Sequence, residues 1–215
     1  MCSIGMDLDN TIIIYDRVIH RLTLTLGLAP EVRGQSGQPP PPGNKKMASS
    51  RIKSLPGGDR HWQRIQAQIY GPLLGEADLA EGFRDFALEC KARGLTLHIV
   101  SHKTRFANNF CTGTDFHAAA ASWLEAHGFF SRDGFGLSLD DVYFEPTRAA
   151  KVRRIAALGC DAFIDDLPEV FAEEAFPAGL LKVLYDPAGL DPQGGDISCR
   201  SWADIARTLL RSGHD

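Results

Sequence analysis

No CxxC pair occurs in this sequence. Its five cysteines (Cys2, Cys90, Cys111, Cys160 and Cys199) are odd in number and widely scattered. They suggest neither a zinc knuckle nor a disulfide framework, and a reducing cytoplasm is the expected location. No apolar run approaches the ~20 residues of a membrane span. A lipoprotein-type signal is not expected, since Cys2 follows Met1 with no apolar segment before it, and no signal-peptide pattern is expected either. Nor is there a large excess of one charge: the net value is -4. Neither nucleic acid nor a membrane surface is therefore expected as a partner. No internal repeat is found. What is present is an ordinary globular composition, 44% hydrophobic and 23% charged over 215 residues. That suits one domain, or one domain with a modest insertion.

Five short apolar runs read as strands: Cys2–Asp7, Leu95–Ser101, Val142–Phe144, Asp161–Asp165 and Leu181–Asp186. The first is the weakest by propensity, because Gly5 lies inside it. Helical patterns separate them. "LAEGFRDFALECKARG" places Leu79, Phe83, Phe86, Ala87 and Cys90 at helical spacing and stops at Gly94. "DFHAAAASWLEAHG" starts at an N-cap, Asp115, and "TRAAKVRRIAALG" starts near Thr147. "SWADIARTLLRSG" has Ser201 as its cap. Strands alternating with helices predict an α/β fold with a largely parallel sheet.

The alternation breaks between about Asp16 and Leu74, where no strand is convincing. "YDRVIHRLTLTLG" reads as a helix ending at Gly27, and "GQSGQPPPPGN" (Gly34–Asn44) as an extended Pro-rich loop. Two short helices follow. The second places Trp62, Ile65 and Ile69 on one face, with Asp59 as its expected cap. Between residues 32 and 75, seven basic side chains face Asp59 alone, a net +6, which leaves -10 for the remainder. A solvated helical face and a lid that attracts an anionic substrate both account for this.

"GMDLDNT" (residues 5–11) puts Asp7 and Asp9 at the end of the first expected strand. A calcium loop also uses D-x-D but needs Gly at position six and Glu at position twelve, and those places hold Ile12 and Val18. A turn of solvated acids remains open for the pair taken alone. Other strand ends argue for more. One run ends at Ser101, followed by His102, Lys103 and Thr104, and another at Asp165 and Asp166. Open parallel sheets bind ligands beyond the carboxyl ends of their strands. Carboxylates gathered at one such edge repel one another unless a cation sits among them, and carboxylates with phosphate oxygens suit Mg²⁺. Lys151, at the start of the helix before "AFIDD", is placed to reach the same edge.

With these motifs in order, the sequence resembles the haloacid dehalogenase superfamily, mostly Mg²⁺-dependent phosphatases and phosphotransferases. "MDLDNT" is similar to its first motif, "LHIVS" to its second, Lys151 to its third and "FIDD" to its fourth. The resemblance implies a three-layer Rossmann-like core with strand order 3-2-1-4-5. That core would comprise residues 1–16 and 75–215, with a small helical cap, residues 17–74, inserted after the first strand. It implies Asp7 as nucleophile, Asp9 as general acid and base, Ser101 as a phosphoryl-oxygen ligand and Lys151 as charge neutraliser. Asp7, Asp9 (through its backbone carbonyl), Asp165 and Asp166 would hold Mg²⁺. Thr11 would fix the turn near Asp9, and Thr11, His102 and Lys103 would meet substrate. Lys151 lies closer to the acidic motif than is usual, and Arg148 competes with it. Glu169 suits either the metal shell or an ordinary first helical turn.

Asp9 also bears on reaction type. Cleaving a carbon–halogen bond needs no proton for a leaving alkoxide, so a second acid argues for phosphate esters or anhydrides. The expected activity is hydrolysis of a small phosphorylated metabolite through an aspartyl-phosphate. A transferase or mutase with the same intermediate, or a binding protein that keeps the fold without turnover, is the alternative.

Overall fold

The computed structural model describes residues 2–28, 45–107 and 113–210. The Pro-rich stretch expected at 34–44, and Cys111, lie outside the described residues. The chain begins with β1 (Ser3–Met6) and β2 (Ile13–Ile14), then α1 (Asp16–Thr25), α2 (Lys45–Lys53) and α3 (Gly58–Ile69). There follow β3 (Asp78–Leu79), α4 (Phe83–Ala92), β4 (Thr96–His102), α5 (Phe116–Ala126), β5 (Val142–Glu145) and α6 (Arg148–Leu158). The last elements are β6 (Ala162–Asp165), α7 (Pro168–Phe171), β7 (Leu181–Tyr185), β8 (Ile197–Cys199) and α8 (Trp202–Leu210).

Six strands form one sheet in the order β5-β4-β1-β6-β7-β8, and every neighbouring pair is parallel. Counted among the five anticipated strands, this is the expected order 3-2-1-4-5, with β8 added at one edge. β8 has only three residues, too few for an alternation signal to stand out in sequence.

Both faces of the sheet are covered, and the alternation of side chains shows how. Ile4, Met6, Ile99, Ile164 and Val183 belong to one buried cluster, while Val100, Phe163 and Leu184 belong to another. Adjacent residues of a strand thus feed opposite layers. Three layers result, because each sheet face is apolar and needs helices over it.

Gly5 is the exception inside β1. A Cβ there would lie 2.5 Å from Cδ2 of Phe163 on the neighbouring β6, and 3.3 Å from the Cys160 sulfur. The residue that lowers strand propensity is therefore the one that lets the Phe163 ring lie across the central strand.

Helix ends follow the local chemistry of their caps. Asp115 accepts from the backbone N–H groups of His117 and Ala118, at 3.0 and 3.1 Å. Thr147 accepts from Ala150 N–H at 3.1 Å, and Ser201 from Asp204 N–H at 3.1 Å. Two expectations need correction. Asp59 is not a cap: α3 starts after Gly57, which has φ 70°, and Asp59 sits in its first turn. The helix expected from Leu79 starts only at Phe83, because Asp78 and Leu79 pair antiparallel with Ile14 and Ile13. This two-strand ladder joins the chain on either side of α1–α3. The apolar faces of those helices, including Val18, Ile52, Trp62 and Ile65, join the same buried cluster as Ile4 and Met6 of β1.

Gly5→Ala is expected to destabilise the fold by about 1–3 kcal/mol, since Phe163 must leave its position to admit one methyl group. Denaturant midpoints of the two proteins check this; an unchanged midpoint would show that the ring moves freely.

Candidate active site

The ends of β1, β4 and β6 bring the chemistry together. β1 pairs with both other strands, in the registers Met6↔Ile99 and Met6↔Ile164. Asp7 therefore leaves the sheet beside Ser101 and Asp165. A cavity of about 540 Å³ opens at this edge, with Asp7, Asp9 and Asp166 on its floor and Lys151 among its lining residues.

Lys151 sits in the first turns of α6 and is 1% exposed. Its ammonium donates to Asp7 Oδ1 at 2.5 Å and to Asp165 Oδ2 at 2.6 Å. The other oxygen of Asp165 accepts from Leu167 N–H at 3.0 Å. Arg148, the competing base, is exposed and its nearest acid is Glu173 at 3.4 Å. The geometry thus favours Lys151 as the cation of this cluster.

One ammonium faces three acids. Oxygens of Asp7, Asp165 and Asp166 all lie within 4.8 Å of one another. Burial, with Asp165 and Asp9 nearby, pushes the Asp7 carboxyl up to about 7 even though Lys151 pulls it down. Burial and the charges of Asp165 and Asp7 likewise raise Asp166 well above the usual carboxylate range. Lys151 is raised above its ordinary value, because the two carboxylates outweigh its own burial. Asp166 accepts from Asn10 Nδ2 at 3.3 Å through one oxygen, while its Oδ1 is buried with no partner among the described residues. A set of hard oxygen donors, excess negative charge and an orphaned carboxylate oxygen fits a small divalent cation such as Mg²⁺. Glu169 is outside this group. It is exposed in the first turn of α7, a site where an acid suits the helix dipole.

Asp9 has a separate environment. Lys103 Nζ lies 3.0 Å from its Oδ1 and 2.9 Å from its Oδ2. The Tyr15 hydroxyl donates to Oδ1, and Ser101 Oγ donates to Oδ2 at 3.3 Å. Burial alone would raise the pKa of Asp9, but Lys103, Lys45 and the Tyr15 hydroxyl together hold it below its ordinary value. The Asp9 carboxylate thus stands outside the three-acid group while remaining close enough to raise Asp7.

Several expected residues occupy different surroundings from those anticipated. Thr11 neither bonds near Asp9 nor lines the cavity. It is fully buried, its hydroxyl has no partner among the described residues, and its carbonyl accepts from Trp202 Nε1 at 3.1 Å. The cause is the turn: Asn10 adopts φ 66°, which sends the next residue inward under α8. Ser101 is also buried, and its hydroxyl bonds Asp9 instead of facing the cavity. His102 does line the cavity, with Nε2 3.2 Å from the Pro146 carbonyl, and burial followed by nearby Lys151 and Arg148 lowers its pKa. Lys103 is a buried ion-pair partner, 4% exposed, not a solvated loop residue.

Two groups near Asp9 were not anticipated. Tyr15 precedes α1, and Lys45 opens α2 with its ammonium bonded to the Tyr70 hydroxyl and 5.4 Å from the Tyr15 ring centre. Tyr70, at the end of α3, also lies under Lys103, 4.1 Å from ring centre to ammonium. Spacing gives no signal for these contacts, because they arise where the inserted helices fold back over β1 and β4.

No protein-family model matches the sequence, and no curated protein matches it closely. Solved structures do match over nearly the whole chain, and many of them are hydrolases of the haloacid dehalogenase family. A haloacid dehalogenase-like family protein from Streptococcus pneumoniae superposes with a TM-score of 0.59 at 14% identity, over 97% of this chain and 98% of that one. A family hydrolase from Deinococcus radiodurans, crystallised with bound phosphate and sodium, gives 0.56 at 14% identity, over 97% and 95%. A phosphoserine phosphohydrolase-like protein from Francisella tularensis gives 0.53 at 11% identity, over 97% and 100%. The chain has the haloacid dehalogenase-like fold.

Lys151→Met is expected to cost about 3–5 kcal/mol of stability without divalent cation at pH 8, because it strands buried carboxylates. Arg148→Met, at an exposed pair, should cost under about 1 kcal/mol. Equal losses in urea unfolding would remove Lys151 from its structural role.

Proposed function

We propose that the protein is a phosphohydrolase of the haloacid dehalogenase superfamily that cleaves a small phosphate monoester through an aspartyl-phosphate on Asp7. The observation that carries this is the buried Asp7–Lys151–Asp165 arrangement at the open end of the central strand, with Asp7 and Lys151 both reaching the cavity. Such an arrangement is built for charge stabilisation, which is most of what phosphoryl transfer requires. The phosphate bound in the Deinococcus radiodurans structure of the same fold agrees with it.

Asp7, Asp165 and Asp166, with the backbone carbonyl of Asp9, would hold Mg²⁺, which when bound neutralises carboxylate and phosphoryl charge. An oxygen of Asp7 attacks phosphorus, and the bond to the leaving oxygen breaks as that oxygen takes a proton from Asp9. In the second half-reaction Asp9 takes a proton from water, the water oxygen attacks phosphorus, and the Asp7–phosphorus bond breaks to release phosphate. Lys103 and Tyr15 favour the ionised form of Asp9, the form needed for this second step. To serve as the acid first, Asp9 must gain a proton, which an incoming phosphoryl dianion beside it favours. Lys151 holds Asp7 in place and offsets its charge while phosphorus is attacked. His102 and Lys103 line the cavity and would meet the substrate there.

The helices between β2 and β3 are proposed to act as the cap, residues 17–74, over a core of residues 1–16 and 75–215. Trp62, Gln66 and Tyr70 of that segment line the same cavity as the acids. They would exclude water from the phosphoryl group.

Hydrolysis of para-nitrophenyl phosphate tests the proposal. Phosphate release should require Mg²⁺, stop with EDTA, and fall to background in Asp7→Asn; activity surviving in Asp7→Asn would sink the nucleophile assignment. Lys151→Ala should lower kcat by about 10²–10³, the scale seen for losing one charge-stabilising group. Arg148→Ala should lose less than about tenfold, and the reverse order would exchange their roles.

A further inference from the structure

The basic excess of the inserted segment is not spread evenly over its surface. Lys46, Ser49 and Lys53 stand at positions i, i+3 and i+7 of α2, and all three line the cavity. Residues at that spacing share one helix face. Ala48 and Ile52, on a different face, are buried in the core cluster. Lys45 of α2 lines it as well, whereas Arg51 of α2 and Arg60 and Arg64 of α3 do not.

Charge in the cavity is unbalanced. Six cations line it (Lys45, Lys46, Lys53, Lys103, Arg148 and Lys151) against the carboxylates of Asp7, Asp9 and Asp166. Lys151 and Lys103 are committed to Asp7, Asp165 and Asp9. Lys46 is paired with Asp191 at 2.6 Å. Lys53 has no ion pair among the described residues, and neither has Lys45.

The stripe also has a direction. Lys46 borders a second small cavity together with Asn10 and Asp166, so its end of α2 lies over the acid cluster. Lys53 is seven residues further along, and at 1.5 Å per residue that is about 10 Å. We propose that the substrate carries a second anionic group, a phosphate or carboxylate, about 10 Å from the scissile phosphate, and that Lys53 receives it. This deepens the phosphohydrolase proposal and rests on it for the position of the scissile group. Between the two ends, Trp62 and Phe116 offer apolar walls to a short carbon chain.

Three probes of equal chain length test this: pentyl phosphate, 5-phosphonooxypentanoate and pentane-1,5-diol bisphosphate. Their binding is measured calorimetrically to Asp7→Asn protein with Mg²⁺, which separates affinity from turnover. At least one doubly anionic probe should bind about tenfold more tightly than pentyl phosphate, the scale of a few partly exposed charge pairs. Which one does so distinguishes phosphate from carboxylate as the second group. In Lys53→Gln the ratio of dissociation constants should collapse toward unity, whereas in Lys46→Gln, at the scissile end, it should largely survive. A ratio near one in the parent protein, or a ratio that survives Lys53→Gln, overturns the subsite. Turnover of pentyl phosphate by the unsubstituted protein is followed separately; its absence counts against the phosphohydrolase proposal and leaves the binding ratio to judge the subsite.

Discussion

The structure around the cavity depends on one buried cation. Lys151 spans two strands by donating to Asp7 after β1 and to Asp165 at the end of β6. Burying two carboxylates against each other is unfavourable unless a positive charge is placed between them with good hydrogen bonds. α6 supplies that charge from its first turns, where Thr147 caps the helix and fixes its starting point. The third acid, Asp166, is left over. Its unpartnered oxygen and the raised proton affinity of the group mark a site short of positive charge. The same imbalance that would be a structural fault in an ordinary core gives this edge of the sheet a donor set that suits a metal ion.

The sheet beneath holds this arrangement in register. Parallel pairing of β1 with β4 and β6 sets Asp7 level with Asp165 at one edge, with Ser101 one residue beyond. Gly5 keeps that pairing close, since any side chain there would meet the Phe163 ring. A weak strand former in the central strand is thus a packing requirement of its neighbour. The Lys151 ammonium also stands 5.6 Å from the centre of the Phe163 ring, so packing and charge meet at the same aromatic.

Asp7 and Asp9, though only two residues apart, live in different electrostatic settings. Asp7 belongs to the acids and is pushed up; Asp9 belongs to Lys103, Tyr15 and Ser101 and is held down. Environments that push two carboxylates apart give them different chemical tasks. Part of the Asp9 setting comes from the inserted helices, through Lys45 and the Tyr70 ring that lies against both lysines. The segment over the cavity therefore shapes the chemistry of the acid below it as well as the space for substrate.

Sequence alone determined the alternating α/β pattern, the five main strands and the acids at their ends. Those features are written locally, in apolar periodicity, in caps such as Asp115 and Thr147, and in short motifs whose residues keep their place whatever lies around them. Lys151 was legible for the same reason, as a basic residue one turn into a helix that follows a strand. Tertiary structure decided the partners. Thr11 turned into the core because Asn10 takes a left-handed turn, and Lys103 became the counter-ion of Asp9 because β1 and β4 lie side by side. Whether the basic run of the insertion faces solvent or substrate also had no local answer. It depended on which side of α2 packs on the core, and burial of Ala48 and Ile52 turned Lys46 and Lys53 toward the cavity. Contacts between residues distant in sequence depend on how elements pack, and no spacing along the chain encodes that.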